Sequence, residues 1–485
     1  MATVGDHGDN AALAAPKTQP SLATRLAFVA PAFLGVARAA VRHLLGLSPA
    51  SRYVDLRTAV TVALMRGLMG PRHPLSVTGT QELLNNQPSK HGPMWISEYT
   101  APGPANATEA RALRDAVVDT IRRLHQENGD DDAQPLPDDA LSSVSVGPVE
   151  AEWTGHRSGT GTGAAAAEIP ATLSERDRYA ALMQDVTAPQ PTTVLFFHGG
   201  GYTVMDPRTH RALTRDLAHR VHGRCYVVRY RLAPAHPFPA QLVDALVSYL
   251  TLLYPPPGAF HAAVRPEHIV LAGDSAGGNL GLALVRLLLD FQRHGVTLPW
   301  HQVAGATTTT TTTTTTTVDY AEFDYLSTPV VPGTDADSRP PCAAWPATPP
   351  RRFLYAATPF VTHPLVTLLL GAADGWRGCP PVYACVGWEL TVGHVPGAAR
   401  CLQGWAAFMR RAVEEPASFY EQSTGTSTTT TTPPPNPVST FTYIQSKTLA
   451  ETPMDPEQLN PITEDEVRSA IRERMAAARA AEARL

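Results

Sequence analysis

The chain has 485 residues and carries 39 basic against 44 acidic side chains, a net charge of −5. No strong field of one sign therefore points to nucleic acid or to an acidic surface as partner. Hydrophobic residues at 43% suit a folded protein with one large core plus additions, whereas 45 prolines imply long irregular stretches.

In chain order, residues 1–24 read as a disordered N-terminus with Asp6 and Asp9, without the pattern of an ordinary signal peptide. The first apolar run, Leu26 to Ala37, is interrupted by Pro31 and stops at Arg38; it falls short of the ~20 residues a spanning helix needs. With Arg38 and Arg42 it continues as a basic amphipathic segment. Two readings stand for residues 25–70: a buried cap helix, or peripheral contact with a membrane face. Residues 25–140 form a helical N-terminal and cap region. In "ATEARALRDAVVDTIRRLH", Leu113, Val117, Ile121 and Leu124 share one helical face. A linker, "NGDDDAQPLPDD", follows at 128–139.

Residues 141–485 change character. "VGPVEAEWTG" alternates like a strand; "TTVLFFHGGGY", "RCYVVRYRLAP", "HIVLAGDS" and "PVYACVG" are short apolar strands. Helical stretches at 207–222, 240–254, 276–294 and 396–414 lie between or after them. Strands of this kind alternating with helices predict an α/β fold with a mostly parallel sheet covered on both faces. Two low-complexity inserts break the pattern: the threonine run at 307–317 and "STGTSTTTTTPPPNP" at 423–437. One repeated small polar side chain cannot shape a specific core or a pocket wall, although threonine is compatible with a strand. The five cysteines lack metal-ligand spacing and read as mostly buried thiols of a reducing compartment. A cytoplasmic or membrane-associated location is favoured, with the compartment left open.

Gly273-Asp274-Ser275-Ala276-Gly277 lies between an apolar strand and a helix. This is the G-x-S-x-G elbow, whose sharp turn presents a serine hydroxyl and whose flanking glycines avoid a collision of Cβ atoms. Upstream, His198-Gly199-Gly200-Gly201-Tyr202 also follows a strand. Glycines in that place let backbone N–H groups approach a developing oxyanion. The chemistry this pattern points to is acyl transfer through a serine nucleophile, with no metal and no cofactor.

"FFHGGGY", "YRLAPAHPFPA" and "GDSAGGNL", in that order, resemble the hormone-sensitive-lipase-like branch of the α/β hydrolases, including its fungal esterase members. The resemblance covers residues 190–295 closely and extends more loosely over 51–305 and 351–415. It implies a hydrolase of apolar carboxylic esters (an esterase, lipase or deacetylase) with a helical cap over the acyl pocket, whose partner is a small-molecule ester. By position it implies Ser275 as nucleophile and the amides of Gly200, Gly201 and Ala276 as oxyanion hole. His198 orients the glycine loop, and Asp244 is structural.

The triad acid belongs after a late strand. "PVYACVGWELTVGHV" holds that place, and Glu389 is the candidate, with Gly393 and His394 where further family acids would fall. The family base follows the last strand, here expected at "ASFYEQ", but no histidine occurs after His394. Three readings stand: the tract at 423–437 is a repeat expansion or misread exon boundary, the base is lost, or His394 substitutes for it. If the base is lost, the chain is a feeble esterase or a catalytically impaired homologue that binds an apolar small molecule.

Overall fold

In a computed structural model the described residues are 22–48, 51, 54–69, 75–85, 93–127, 136, 138–142, 144–159, 169–298, 301–302, 309–313, 340–348, 351, 353–371, 373–385, 396–419, 440–444, 448–454, 466, 469–470, 472–473 and 476. Seven strands build the main sheet: β1 (Met94–Ala101), β2 (Val149–His156), β3 (Thr193–Phe197), β4 (Arg224–Arg229), β5 (Ile269–Asp274), β6 (Thr309–Thr313) and β7 (Val382–Ala384). Their order is β1-β2-β4-β3-β5-β6-β7. β1 and β2 are antiparallel to their neighbours, and β4, β3, β5, β6 and β7 run parallel. The helices are α1 (Leu22–Leu44), α2 (Leu56–Met69), α3 (Val77–Asn85), α4 (Ala107–Glu127), α5 (Asp138–Ser142), α6 (Glu175–Asp185), α7 (Arg211–Arg220), α8 (Ala240–Leu253), α9 (Ala276–Arg293) and α10 (Pro396–Glu414).

Strand alternation divides the core into two layers. Leu195, Phe197, Tyr226, Val228 and Leu271 point into a layer shared with α4, α8 and α9. Val194, Phe196, Cys225, Val227, Val270 and Ala272 point into the other, against Leu217 and Val221 of α7 and Leu402, Trp405 and Met409 of α10. The central strands are apolar on both sides because both sides are covered. Glu152 is buried on β2, where Arg211 of α7 grips it with two hydrogen bonds of 2.9 and 2.7 Å. That bidentate pair fixes α7 on its face of the sheet.

Three segments differ from the expectation. Met94–Ala101, inside the region read as mainly helical, is an eight-residue strand paired along its whole length with β2. Five threonines of the tract are a sheet strand, with Gly273 opposite Thr312 and Asp274 opposite Thr313. The parallel ladder needs only backbone groups from them, and β-branching favours the extended chain. Pro416–Phe419, where the last strand was expected, is a 3₁₀ turn; the pairing after it is a short hairpin of Thr442–Ile444 with Glu451–Pro453. The five cysteines form no disulfide. Among the described residues, no helix is long and apolar enough to cross a membrane.

The segment 353–371 is tied to α4 through His363. Its Nε2 donates to the Ile121 carbonyl at 2.9 Å and its Nδ1 accepts from the Leu365 amide at 3.1 Å. Both nitrogens are used in one neutral tautomer, and burial pushes the imidazole down to about 4. An unfolded histidine titrates near 6.5, so below that pH the unfolded chain binds a proton the folded chain refuses. The folded state therefore loses stability as pH falls from about 6.5 toward 4, by about 1.4 kcal/mol per pH unit for this residue. We predict that His363→Gln, compared by urea midpoints at pH 7 and pH 5, flattens the acid loss by about that share. An unchanged slope would show that His363 is not held neutral.

Candidate active site

β3 and β5 are neighbours, with Phe197 opposite Gly273. From β3 the chain goes by α7 to β4 on one side; from β4 it returns by α8 to β5 on the other. The carboxyl ends of β3 and β5 thus flank the point where the sheet order reverses, the place where open α/β sheets bind ligands. The glycine loop leaves β3 there and Ser275 leaves β5 there.

Ser275 has φ 51° and ψ −118° and directly precedes α9. A serine in that region carries strain on the order of 1–3 kcal/mol, which the surroundings must hold. Two glycines make this possible. A Cβ on Gly273 would sit 2.5 Å from the Gly277 carbonyl carbon and 2.7 Å from the Phe197 oxygen. A Cβ on Gly277 would sit 2.5 Å from the Phe197 carbonyl carbon and 2.8 Å from the His198 oxygen. The start of α9 therefore lies directly on the end of β3. Ala276 opens α9, so its amide has no partner four residues back in the helix.

The glycine loop is bound to the same elbow. The Gly199 amide donates to Asp274 Oδ1 at 2.9 Å. Gly200 has φ 110° and Gly201 φ 58°, and the Thr203 and Val204 amides close back onto the Gly200 carbonyl at 3.0 and 3.1 Å. Among the described residues, the Gly200 and Gly201 amides donate to no backbone carbonyl. Tyr202 is buried, stacks on Tyr355 at 3.8 Å, and donates its hydroxyl to Asn279 Oδ1 of α9 at 2.6 Å. Gln81 of α3 donates to the Thr203 carbonyl at 2.7 Å.

Beneath the loop lies a buried polar cluster. His198 Nδ1 donates to the Gly199 carbonyl at 2.7 Å; Tyr230 stacks on its ring at 4.1 Å and donates its hydroxyl to the His198 carbonyl at 2.5 Å. Burial, and next the neighbouring His210, push the His198 imidazole down to about 3, so it is neutral. His210 Nε2 lies 3.0 Å from Asp274 Oδ1. Burial opposes charge on both partners, but each favours the other's ion: Asp274 is held below, and His210 above, its ordinary range. By linkage this pair stabilises the fold at pH above the unfolded aspartate's range and below about 6.5, and its share from His210 is lost as pH rises through the raised value. Asp244 is buried at the head of α8, where its carboxylate takes the Arg231 amide at 2.8 Å and the Arg231 guanidinium at 2.7 Å.

Ser275, Gly200, Gly201, Ala276 and His198 are thus brought together at one end of the sheet. Glu389 and His394 lie outside the described residues. Among the described residues no histidine is hydrogen-bonded to the Ser275 hydroxyl. His198, His210 and His363 are buried and engaged with the Gly199 carbonyl, Asp274 and the Ile121 carbonyl respectively. Sequence reasoning passed over Asp274, His210, Tyr202 and Asn279. Asp274 fills the variable place of the elbow motif, and nothing in spacing marks His210 as its partner. Among the described residues no group of histidine, cysteine or carboxylate side chains could hold a metal ion.

The glycine geometry gives a paired prediction. Gly277→Ala forces its methyl against the Phe197 carbonyl and costs about 1–3 kcal/mol or more. Gly201→Ala meets open space, its nearest neighbour being Thr203 Oγ1 at 3.9 Å, and costs only the left-handed backbone, about 1 kcal/mol. Urea midpoints of the two variants test this, and equal losses would contradict the contact.

Residues 194–391 match the family of the α/β hydrolase fold. An acetyl-hydrolase of Streptomyces hygroscopicus is 33% identical over 153 residues, which are 30% of this chain and 48% of that protein. An esterase of Acinetobacter venetianus is 38% identical over 104 residues, 21% of this chain and 32% of that protein. The carboxylic ester hydrolase LipN of Mycobacterium tuberculosis is 37% identical over 101 residues, 21% of this chain and 26% of that protein. The chain thus spans about half or less of the length of these relatives. Elbow, glycine loop, mostly parallel sheet and family match fall on the same stretch of sequence, and that stretch has the α/β hydrolase fold.

Proposed function

We propose that this protein hydrolyses small apolar carboxylic esters through a serine nucleophile, Ser275. The observation that carries the reading is the strained backbone of Ser275 (φ 51°) on the first turn of α9, beside a glycine loop whose Gly200 and Gly201 amides are not spent on backbone carbonyls. The names of the relatives, an acetyl-hydrolase, an esterase and a carboxylic ester hydrolase, support the same class.

In this reading the Ser275 hydroxyl attacks the ester carbonyl carbon, and the oxygen that becomes negative is received by the amides of Gly200, Gly201 and Ala276. Each such donor contributes roughly 3 kcal/mol at the transition state. The alcohol leaves, an acyl-serine remains, and water releases the acid. His198 acts on the loop, not on the substrate: it is neutral and buried, and holds the Gly199 carbonyl. The proton from Ser275 goes to His394, with Glu389 as its orienting acid. No cofactor is required.

The test is turnover of p-nitrophenyl acetate and butyrate together with labelling by a fluorophosphonate. Ser275→Ala is expected to abolish labelling. His394→Ala is expected to lower turnover by several orders of magnitude, as loss of a triad base does in serine proteases, leaving on the order of 10³–10⁴ over water from the oxyanion site. Equal labelling of the unaltered chain and Ser275→Ala would end the nucleophile assignment. Equal turnover of the unaltered chain and His394→Ala would remove His394 as base.

A further inference from the structure

From Phe33 onward, α1 and the turn that follows it expose several large apolar side chains. Phe33, Leu34, Val41, Leu44, Leu45 and Leu47 are each between 56% and 76% exposed. At about 100° per residue, Phe33, Leu44, Ala37, Val41, Leu34 and Leu45 fall within one arc of about 120°, with Arg38 and then Arg42 on its border. The opposite side, Val36, Ala39, Ala40 and His43, is half-buried. That side presents mostly small residues to α2, the helix against which α1 packs. So α1 is amphipathic twice over: a small-residue face for α2, and a larger apolar face, rimmed by arginine, that is exposed from Phe33 onward.

Charge says what covers it. The chain as a whole is acidic, at −5, yet residues 22–54 hold Arg25, Arg38, Arg42 and Arg52 and no aspartate or glutamate. Among the described residues no carboxylate pairs with Arg38 or Arg42. An apolar arc bordered by guanidinium groups that no described carboxylate pairs, Arg42 reaching only the Leu47 carbonyl at 3.5 Å, suits an interface where hydrocarbon lies beside anionic headgroups, the geometry of helices that lie in the plane of a bilayer. We propose that α1 docks the protein on an anionic lipid surface, with Phe33, Leu34, Val41, Leu44 and Leu45 in the acyl boundary and Arg38 and Arg42 at the phosphates. This stands independently of the ester chemistry.

The experiment is co-sedimentation of the full chain with phosphatidylcholine vesicles, with and without phosphatidylserine, over a range of salt. Binding is expected only with the anionic lipid and should weaken as salt rises. Arg38→Gln and Arg42→Gln should each lower partitioning about fivefold, and Leu34→Asp with Val41→Asp should abolish it with the circular-dichroism melt unchanged. In the unaltered chain, amides of residues 33–47 should gain protection from hydrogen exchange when anionic vesicles are added, a readout that needs no variant. Absence of sedimentation at low salt overturns the proposal, as does protection elsewhere than α1. A dimer in solution that Leu34→Asp with Val41→Asp dissociates would assign the face to a second copy of this chain and equally overturn it.

Discussion

The site depends on one close approach, that of Gly277 to the carbonyl of Phe197. Nothing bulkier than hydrogen fits between the first turn of α9 and the end of β3. With that contact in place, the chain leaving β5 must turn sharply. The turn holds Ser275 in a backbone region that a serine avoids. It also sets Asp274 where the Gly199 amide can reach it. Two neighbouring parallel strands thereby deliver a hydroxyl and a run of donors to the same spot, at a place where the sheet order reverses.

The buried cluster below the loop is an electrostatic consequence of the same packing. Asp274 has no water to solvate its charge, so it draws on the Gly199 amide and the His210 imidazole. A second buried histidine, His198, cannot also be charged beside His210, and it stays neutral and binds a carbonyl instead. One histidine thus neutralises and the other positions. His198 stands between β3 and the glycine run and His210 just before α7, and the 3.0 Å approach of His210 to Asp274 separates the two roles. The bonds of this network hold the loop in one arrangement, although His198 Nε2 is buried without a hydrogen-bond partner among the described residues.

Around this centre the layers are unequal. The two faces of the sheet are filled by apolar side chains from several helices, whereas α1 packs chiefly on α2. Even a featureless threonine run is absorbed into the sheet, since its partners β5 and β7 ask only for backbone hydrogen bonds. α3 meets the glycine loop through a polar contact, Gln81 to the Thr203 carbonyl.

Period and punctuation in the sequence were enough for β2 to β5, for α7 to α10, and for the elbow and glycine loop, because each is a local pattern: an apolar run, a glycine pair, a helical face. β1 escaped notice because "MWISEYTA" sits among helices and declares itself only by pairing with β2. The threonine strand escaped because a repeat has no pattern of its own and takes its register from Val270–Asp274. The sequence by itself determined that a serine stands in a glycine-flanked turn between strand and helix, since that depends on residues a few positions apart. Only the tertiary structure decided that Asp274 takes the Gly199 amide 75 positions away and binds His210, and that α1 keeps its apolar side outward. Those outcomes come from which surfaces meet in space, and chain spacing does not encode them.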